Sequence, residues 1–268
     1  LAMIGRAALP GVQRKLAVSL SEDPTPTLRV DGRHATLILK PQSQAFPAVP
    51  ENEHVTLRIA ALAGIEVPHA GLFPLLDGSP ALLVKRFDRM GARRLPLEDF
   101  CQLAMRSPKE KYDASAEECF KLGKRYASEP VLEALRLLRR FLVIWWTGNG
   151  DMHLKNFSLL TGSDGRARLS PAYDLVCTRL VIAGDTLALP VTGKKDKLTR
   201  RSWMELAKWA GLPEPLAERE IAAVAGHLEG AIRFVGRSAL SDESKATYEE
   251  LLRERAATLV GSRRAGSG

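Results

Sequence analysis

The 268-residue sequence has no apolar run near the ~20 residues that cross a bilayer, and its first residues do not form a charged segment, apolar stretch and cleavage site. A cytoplasmic protein with no membrane association is therefore expected. Cysteine is scarce. Cys101, Cys119 and Cys177 are odd in number, widely separated and without a C-x-x-C pair or a nearby histidine cluster, which excludes a disulfide framework and a zinc site and predicts buried free thiols. No segment repeats with a period of about 20 to 50 residues, so solenoids and propellers are excluded. Also missing are a Walker A sequence, a G-x-G-x-x-G dinucleotide loop, H-E-x-x-H and G-x-S-x-G, and with them the commonest competing enzyme classes.

Hydrophobic residues make up 45% of the chain and charged residues 26%, enough to bury one large core or two modest ones. The formal net charge of +8 permits binding to nucleic acid or to the phosphates of a nucleotide. Part of the excess lies in Arg136, Arg139, Arg140, Lys194, Lys195, Lys197, Arg200 and Arg201, with little aromatic character between them. That pattern predicts a solvated face, not a platform for stacked bases.

The first third of the chain reads as strand-rich. Lys15–Leu20 and Ala35–Lys40 are short apolar runs, with Asp31-Gly32 as a hairpin turn before the second. Glu51–Ala63 places Val55, Ile59 and Leu62 on one helical face and ends at Gly64, a residue suited to a helix C-terminus. Two more strands are expected at Ala70–Leu75 and Ala81–Phe87, around the turn Asp77-Gly78-Ser79-Pro80. Beyond residue 92 the pattern is helical, with helices predicted over Pro96–Ala104, Pro130–Trp146, Trp203–Ala210, Ala217–Val235 and Asp242–Leu259. The expected fold is α+β and two-lobed, with a β-rich lobe over residues 1–91, a helical lobe over 92–268 and a cleft between them.

The most informative segment is Gly148-Asn149-Gly150-Asp151-Met152-His153-Leu154-Lys155-Asn156-Phe157-Ser158, between the long helix and a predicted hairpin over Phe157–Leu169. Polar groups crowded between a helix and a strand need partners, which suggests a cleft wall. Asp151 and Asn156 are five apart, the spacing of the protein-kinase catalytic loop, where the Asp accepts the substrate hydroxyl's proton and the Asn binds magnesium. Asp174, in Ser170-Pro171-Ala172-Tyr173-Asp174-Leu175, could return a carboxylate to the same cleft as a second magnesium ligand. Lys40 ends an apolar strand, where its ammonium can meet phosphate oxygens or simply snorkel at an edge. Glu53 is the candidate to pair with it, although Glu51 lies close by.

Together these segments resemble the HipA-like serine/threonine kinases of bacterial toxin–antitoxin systems over most of the chain. Pro10-Gly11-Val12-Gln13-Arg14-Lys15 resembles the family's phosphate-covering loop, Leu37–Lys40 its ATP-lysine strand, and Val84-Lys85-Arg86-Phe87-Asp88-Arg89 its hinge. Gly148–Ser158 and Ala172–Leu175 resemble its catalytic and metal motifs. The resemblance implies ATP and Mg2+ as cofactors, Asp151 as catalytic base, Asn156 and Asp174 as magnesium ligands, and Lys40 with Gly11, Val12 and Gln13 at the phosphates. It places Lys85 and Phe87 at the adenine, and gives His153 and Lys155 a part in supporting the loop or the transferred phosphoryl group. It further implies a protein substrate such as an aminoacyl-tRNA synthetase, a helix-turn-helix antitoxin partner, and contact with DNA only through that antitoxin.

Two departures stand out. Ala8 occupies the position where the family usually has an autophosphorylated serine, so self-phosphorylation there is not expected. The chain also starts, at Leu1, almost on the phosphate loop, as in the short HipT-like branch whose N-terminal subdomain is a separate small protein. Two other readings stay open: a small-molecule phosphotransferase on the same fold, and a non-catalytic module associated with antitoxin or DNA.

Overall fold

A computed structural model describes residues 14–24, 27–32, 34–91 and 93–261. The N-terminal part is a five-stranded antiparallel sheet in the order β2-β1-β3-β5-β4. Its strands are β1 (Leu16–Leu20), β2 (Leu28–Val30), β3 (Leu37–Pro41), β4 (Ala70–Pro74) and β5 (Pro80–Lys85). Asp31-Gly32 is not a hairpin turn. It begins a crossing from the edge strand β2 to β3 on the far side of β1, because β1 pairs with both. β3 lies inside the sheet, and Lys40, opposite Leu82 of β5, emerges from a strand that has neighbours on both sides.

Helix α1 (Val49–Leu62) packs on β4 and β5 through Val55, Leu57, Ile59 and Ala60. It ends as its sequence suggests. Gly64, at φ +77°, lets its own N–H reach Ala61 O and that of Ile65 reach Ala60 O, the paired bonds of a Schellman motif. Asn52 of α1 clamps the Cys177 backbone, its Nδ2 donating to Cys177 O at 2.9 Å and its Oδ1 accepting from Cys177 N at 2.8 Å. The helix is thereby tied to the C-terminal part as well as to its own sheet.

A ribbon of β6 (Arg89–Met90) and β7 (Arg93–Arg94) leads to β8 (Leu97–Asp99), which joins β9 (Ser158–Thr161) and β10 (Ala167–Leu169) in a small sheet. The helix expected over Pro96–Ala104 is therefore strand in its first part and helix only in its second. Leu97–Asp99 pairs with Leu160–Ser158, and only beyond Asp99 does a helical turn begin, α2 (Phe100–Leu103), started by reciprocal Asp99–Gln102 capping. The remaining helices are α3 (Ala116–Tyr126), α4 (Pro130–Trp146), α5 (Arg200–Trp209), α6 (Glu214–Gly226), α7 (Leu228–Gly236) and α8 (Asp242–Val260).

The reading missed α3, although Ser115 caps it and Cys119, Phe120 and Leu122 form its inner face. The single helix expected over Ala217–Val235 is broken at His227. The break lets α7 lie against α1 so closely that a Cβ on Gly230 would come 2.6 Å from Leu62 Cδ2. In α4 the residues from Leu137 to Trp146 are buried on nearly every side, Arg139 excepted, so its C-terminal half is the axis of the core. Of the α4 arginines expected on a solvated face, Arg136 is exposed, but Arg140 is buried and Arg139 grips Glu220. All three cysteines are buried and free, as expected. Among the described residues no helix is long and apolar enough to cross a membrane.

Candidate active site

The Gly-Asn-Gly-Asp run makes the exit from the core helix. Gly148, at φ +74°, closes α4 with bonds from its own N–H to Trp145 O and from Asn149 N–H to Ile144 O. Asn149 Oδ1 then accepts from Asp151 N at 3.0 Å, and Gly150 N donates to Thr178 Oγ1 at 2.7 Å. Gly150 is required by space: a Cβ there would come 2.0 Å from Asp185 Oδ2 and 2.5 Å from Thr186 O. Beyond it, Asn156 Nδ2 donates to Asp151 O at 3.1 Å, so the two ends of the five-residue spacing fold back on each other.

Against this loop the β-rich part presents a chain of charges. Lys40 Nζ donates to Glu53 Oε1 at 2.5 Å and to Asp174 Oδ1 at 2.6 Å, and Lys15 Nζ lies 2.7 Å from Asp174 Oδ2. Lys40 is 3% exposed and Glu53 1%. Burial disfavours the charged form of Lys40, but the carboxylates of Asp174 and Glu53 override it and hold the ammonium above its ordinary pKa. Burial opposes the charge on Asp174 too, and Lys40 with Lys15 outweighs it, keeping this carboxyl well below the usual range. Glu53 sits above its usual range because burial outweighs Lys40. Asp174 has φ +55°, a left-handed conformation that a short polar side chain tolerates.

Asp151 lies across the cleft. Its Oδ1 accepts from Tyr112 O–H at 2.6 Å. Burial raises its pKa, and the Tyr112 bond and Lys111 partly offset the rise. The His153 ring meets Tyr112 edge-on, with centroids 5.0 Å apart. Burial, aided by Lys111, brings its pKa down to about 4, so the imidazole is neutral at neutral pH and adds no cation to the cleft.

The cleft has two connected chambers that share Lys15, Glu53, Tyr173 and Asp174. The polar one, of about 360 Å³, is lined by Asp151, His153, Lys155 and Asn156. The other, of about 260 Å³, is lined by Ile38, Val84, Lys85 and Phe87, with the Phe87 ring 5.7 Å from that of Tyr173. A flat heteroaromatic ring suits the second chamber and its polyphosphate tail the first.

The structure thus brings Lys40, Asp151, Asn156 and Asp174 to one cleft, with Lys85, Phe87, His153 and Lys155 on its walls. Of the two glutamates, it is Glu53 that reaches Lys40. The Lys155 ammonium is held at 3.0 Å by Asp99, on the wall and not across the cavity. Gly11, Val12, Gln13 and Ala8 lie outside the described residues. Sequence reasoning did not single out Tyr112, Tyr173 or Thr178, which no local pattern marks. It had Lys15 as the end of a loop motif and the start of a strand, with no role at Asp174.

Magnesium fits the donor set. Asn156 commits its amide N–H to Asp151, which leaves Oδ1 as a hard oxygen donor, and Asp174 already holds two ammonium groups, so it accepts positive charge from more than one side. Among the described residues no three His, Cys, Asp or Glu side chains form a cage for a metal. An ion here would complete its shell with water and phosphate oxygens, as magnesium does.

The family model for the HipA-like C-terminal domain matches residues 7–232. Two Sinorhizobium fredii proteins named "Putative kinase Y4mE" and "Putative kinase Y4dM" are each 34% identical, over 81% and 78% of this chain. A Haemophilus influenzae protein named "Putative kinase" is 26% identical over 70% of the chain. The chain spans 54%, 54% and 59% of the lengths of these three relatives. Among solved structures, the Shewanella oneidensis toxin–antitoxin complex of HipA, HipB and operator DNA matches with a TM-score of 0.78 and 22% identity, over 96% of this chain and 66% of that one. The Helicobacter pylori proinflammatory kinase CtkA matches with a TM-score of 0.59 and 14% identity, over 83% and 86%. At these identities the two structures speak to the fold alone, β-rich at the N-terminus and helical at the C-terminus.

Proposed function

The chain belongs to the HipA-like C-terminal domain family, and from that premise we propose that it is an ATP- and magnesium-dependent serine/threonine protein kinase. The observation that carries the reading is the bridge from Glu53 through Lys40 to Asp174, facing Asp151 and Asn156 across one cleft. A lone polar residue on a cleft wall has many explanations. Four of them, remote in sequence and arranged around one space of nucleotide size, have few.

In this mechanism Lys40, held rigid by its strand and by Glu53, draws the phosphates into the polar chamber. Phe87, with Lys85 beside it, lines the chamber for the base. Asp151 accepts the proton of the incoming hydroxyl as its oxygen bonds to the γ-phosphorus and the bond to ADP breaks. Tyr112 holds the Asp151 carboxylate in position for that transfer. Asn156 and Asp174 would hold the magnesium ion, which when bound neutralises charge on the phosphate oxygens. Lys15 now touches the Asp174 oxygen that such an ion would approach, so it would turn to the phosphates on binding. Most of the catalytic effect is then positioning and fixed charge.

The remaining particulars rest on the family resemblance: a toxin of a toxin–antitoxin system, acting on a protein hydroxyl such as one of an aminoacyl-tRNA synthetase. A helix-turn-helix antitoxin would be its partner, with DNA reached only through the antitoxin. The test is mass spectrometry of a cell lysate incubated with the protein, ATP and Mg2+. Phosphoserine or phosphothreonine appearing on one or a few proteins supports the reading. Phosphate transferred only to metabolites would replace it with a small-molecule phosphotransferase, and no transfer at all would leave a non-catalytic module.

A further inference from the structure

A separate cavity of about 220 Å³ opens beside the chain that leads into Asp174, and none of its lining residues lines the cleft. Arg136, Arg139 and Arg140 surround it, with Leu169 and the loop after α1. Two of the arginines have counter-charges. Arg136 Nη1 donates to Glu133 Oε1 at 2.7 Å, and Arg139 grips Glu220 at 2.6 and 2.8 Å and also reaches Gly64 O.

Arg140 is different. It is 3% exposed, makes no ion pair among the described residues and spends only Nη2, on Ser170 O at 2.6 Å. Its Nε and Nη1 are buried without partners. Burying a guanidinium with unmade bonds is among the costliest arrangements in a protein interior, and proteins seldom keep one without a counter-group. Glu66, the one carboxylate on the lining, is exposed and joined to none of the three arginines by an ion pair. The cavity far exceeds the ~30 Å³ share of a single water. Arginine clusters around a confined space match tetrahedral oxyanions.

We propose that this cavity is a binding site for a phosphate group, either free phosphate or a small phosphomonoester, seated among Arg136, Arg139 and Arg140. The site is wired to the cleft. Arg140 holds Ser170 O, Glu133 Oε2 accepts from Leu169 N at 3.0 Å, and Ala172 N donates to Glu66 O at 2.7 Å. Arg140, which would meet the anion, thus also fixes the backbone leading to Asp174, and Arg136 is tied to it through Glu133, so occupancy is expected to stiffen that segment.

The test is thermal unfolding of the full chain titrated with sodium phosphate, against sodium chloride of matched ionic strength. Phosphate should raise the Tm beyond the chloride control. Arg140→Met should abolish that increment, weakening phosphate affinity by at least about thirtyfold as the loss of a buried charge contact does. Its own Tm in chloride should stay close to that of the native chain, since losing the Ser170 bond and the attraction of Glu133 and Glu66 is set against removing a buried guanidinium with two unmade bonds. Arg136→Gln, altering a half-exposed position, should reduce the increment and serves if Arg140→Met does not fold. Crystals soaked in tungstate should show the oxyanion between Arg136 and Arg140. An increment no larger than with chloride, one kept in full by Arg140→Met, or tungstate found only beside Lys40, would overturn the proposal and leave a water-filled cavity.

Discussion

Replacing Lys40 with Met keeps the apolar stem of the side chain and deletes the charge that joins Glu53 to Asp174. Asp174 retains Lys15 as an ion-pair partner, whereas Glu53 keeps only the more distant charge of Lys15: its Oε2 is already buried without a partner, and Oε1 loses its hydrogen bond. Breaking one side of a buried ion pair costs about 3–5 kcal/mol, and the structure places Lys40→Met in that range at about pH 8. The loss must depend on pH. Burial already lifts the Glu53 pKa above its ordinary 4.5 with Lys40 opposing it, so without Lys40 the folded-state value climbs further. Above 4.5 the folded variant then binds more protons than the unfolded chain, and stability falls as pH rises. The native chain shares part of this fall, since its own Glu53 is raised as well, so the deficit should grow, by up to roughly 1.4 kcal/mol per pH unit, only between the native and the variant folded-state values. Adding Glu53→Leu removes the orphaned carboxylate and should restore most of the stability, though not the activity, since buried ion pairs are commonly replaceable by apolar groups. Urea unfolding at about pH 5 and pH 8, compared through the midpoint at constant slope, reads all three proteins. A Lys40→Met deficit that does not change with pH, or a double variant no more stable than the single one, would refute the reasoning.

Asp151→Asn keeps shape and volume, so it should leave the Tm within about 2 °C while lowering phosphoryl transfer about 10²–10⁴-fold in a labelled-ATP assay. Tyr112→Phe deletes the bond that holds down the Asp151 pKa, so Asp151 should protonate at higher pH. Transfer should accordingly fall more at about pH 6 than at pH 8, which a pH–rate profile will show as an acidic limb moved upward. Gly150→Ala forces a methyl into Asp185 Oδ2 and Thr186 O, and should cost about 1–3 kcal/mol in thermal unfolding as well as displacing Asp151.

Much of this molecule can be read from its chain, wherever a local rule governs. Helix periodicity located α1 and α4 within two residues at each end, because a buried stripe and a glycine exit are both local features. The spacing from Asp151 to Asn156 identified the loop, since five residues suffice to fold one end back on the other. Local rules failed where distant pairing competes with propensity. Leu97–Asp99 has no strand signal of its own and becomes one only because β9 offers an edge. His227 breaks a periodic helix that would otherwise run past the α1 contact at Gly230 and Leu62.

The site divides in the same way. By itself the sequence marked which side chains are candidates for the proposed chemistry and in what order they occur, since motif spacing is a property of the chain. Only the tertiary structure decided that Glu53 and not Glu51 meets Lys40, that Tyr112 donates to Asp151, and that Lys155 turns to Asp99. It alone buried Arg140, which composition had assigned to a solvated face. Each of these depends on which groups meet in three dimensions. Burial and pairing are set by neighbours tens of residues away, and no window of sequence contains them.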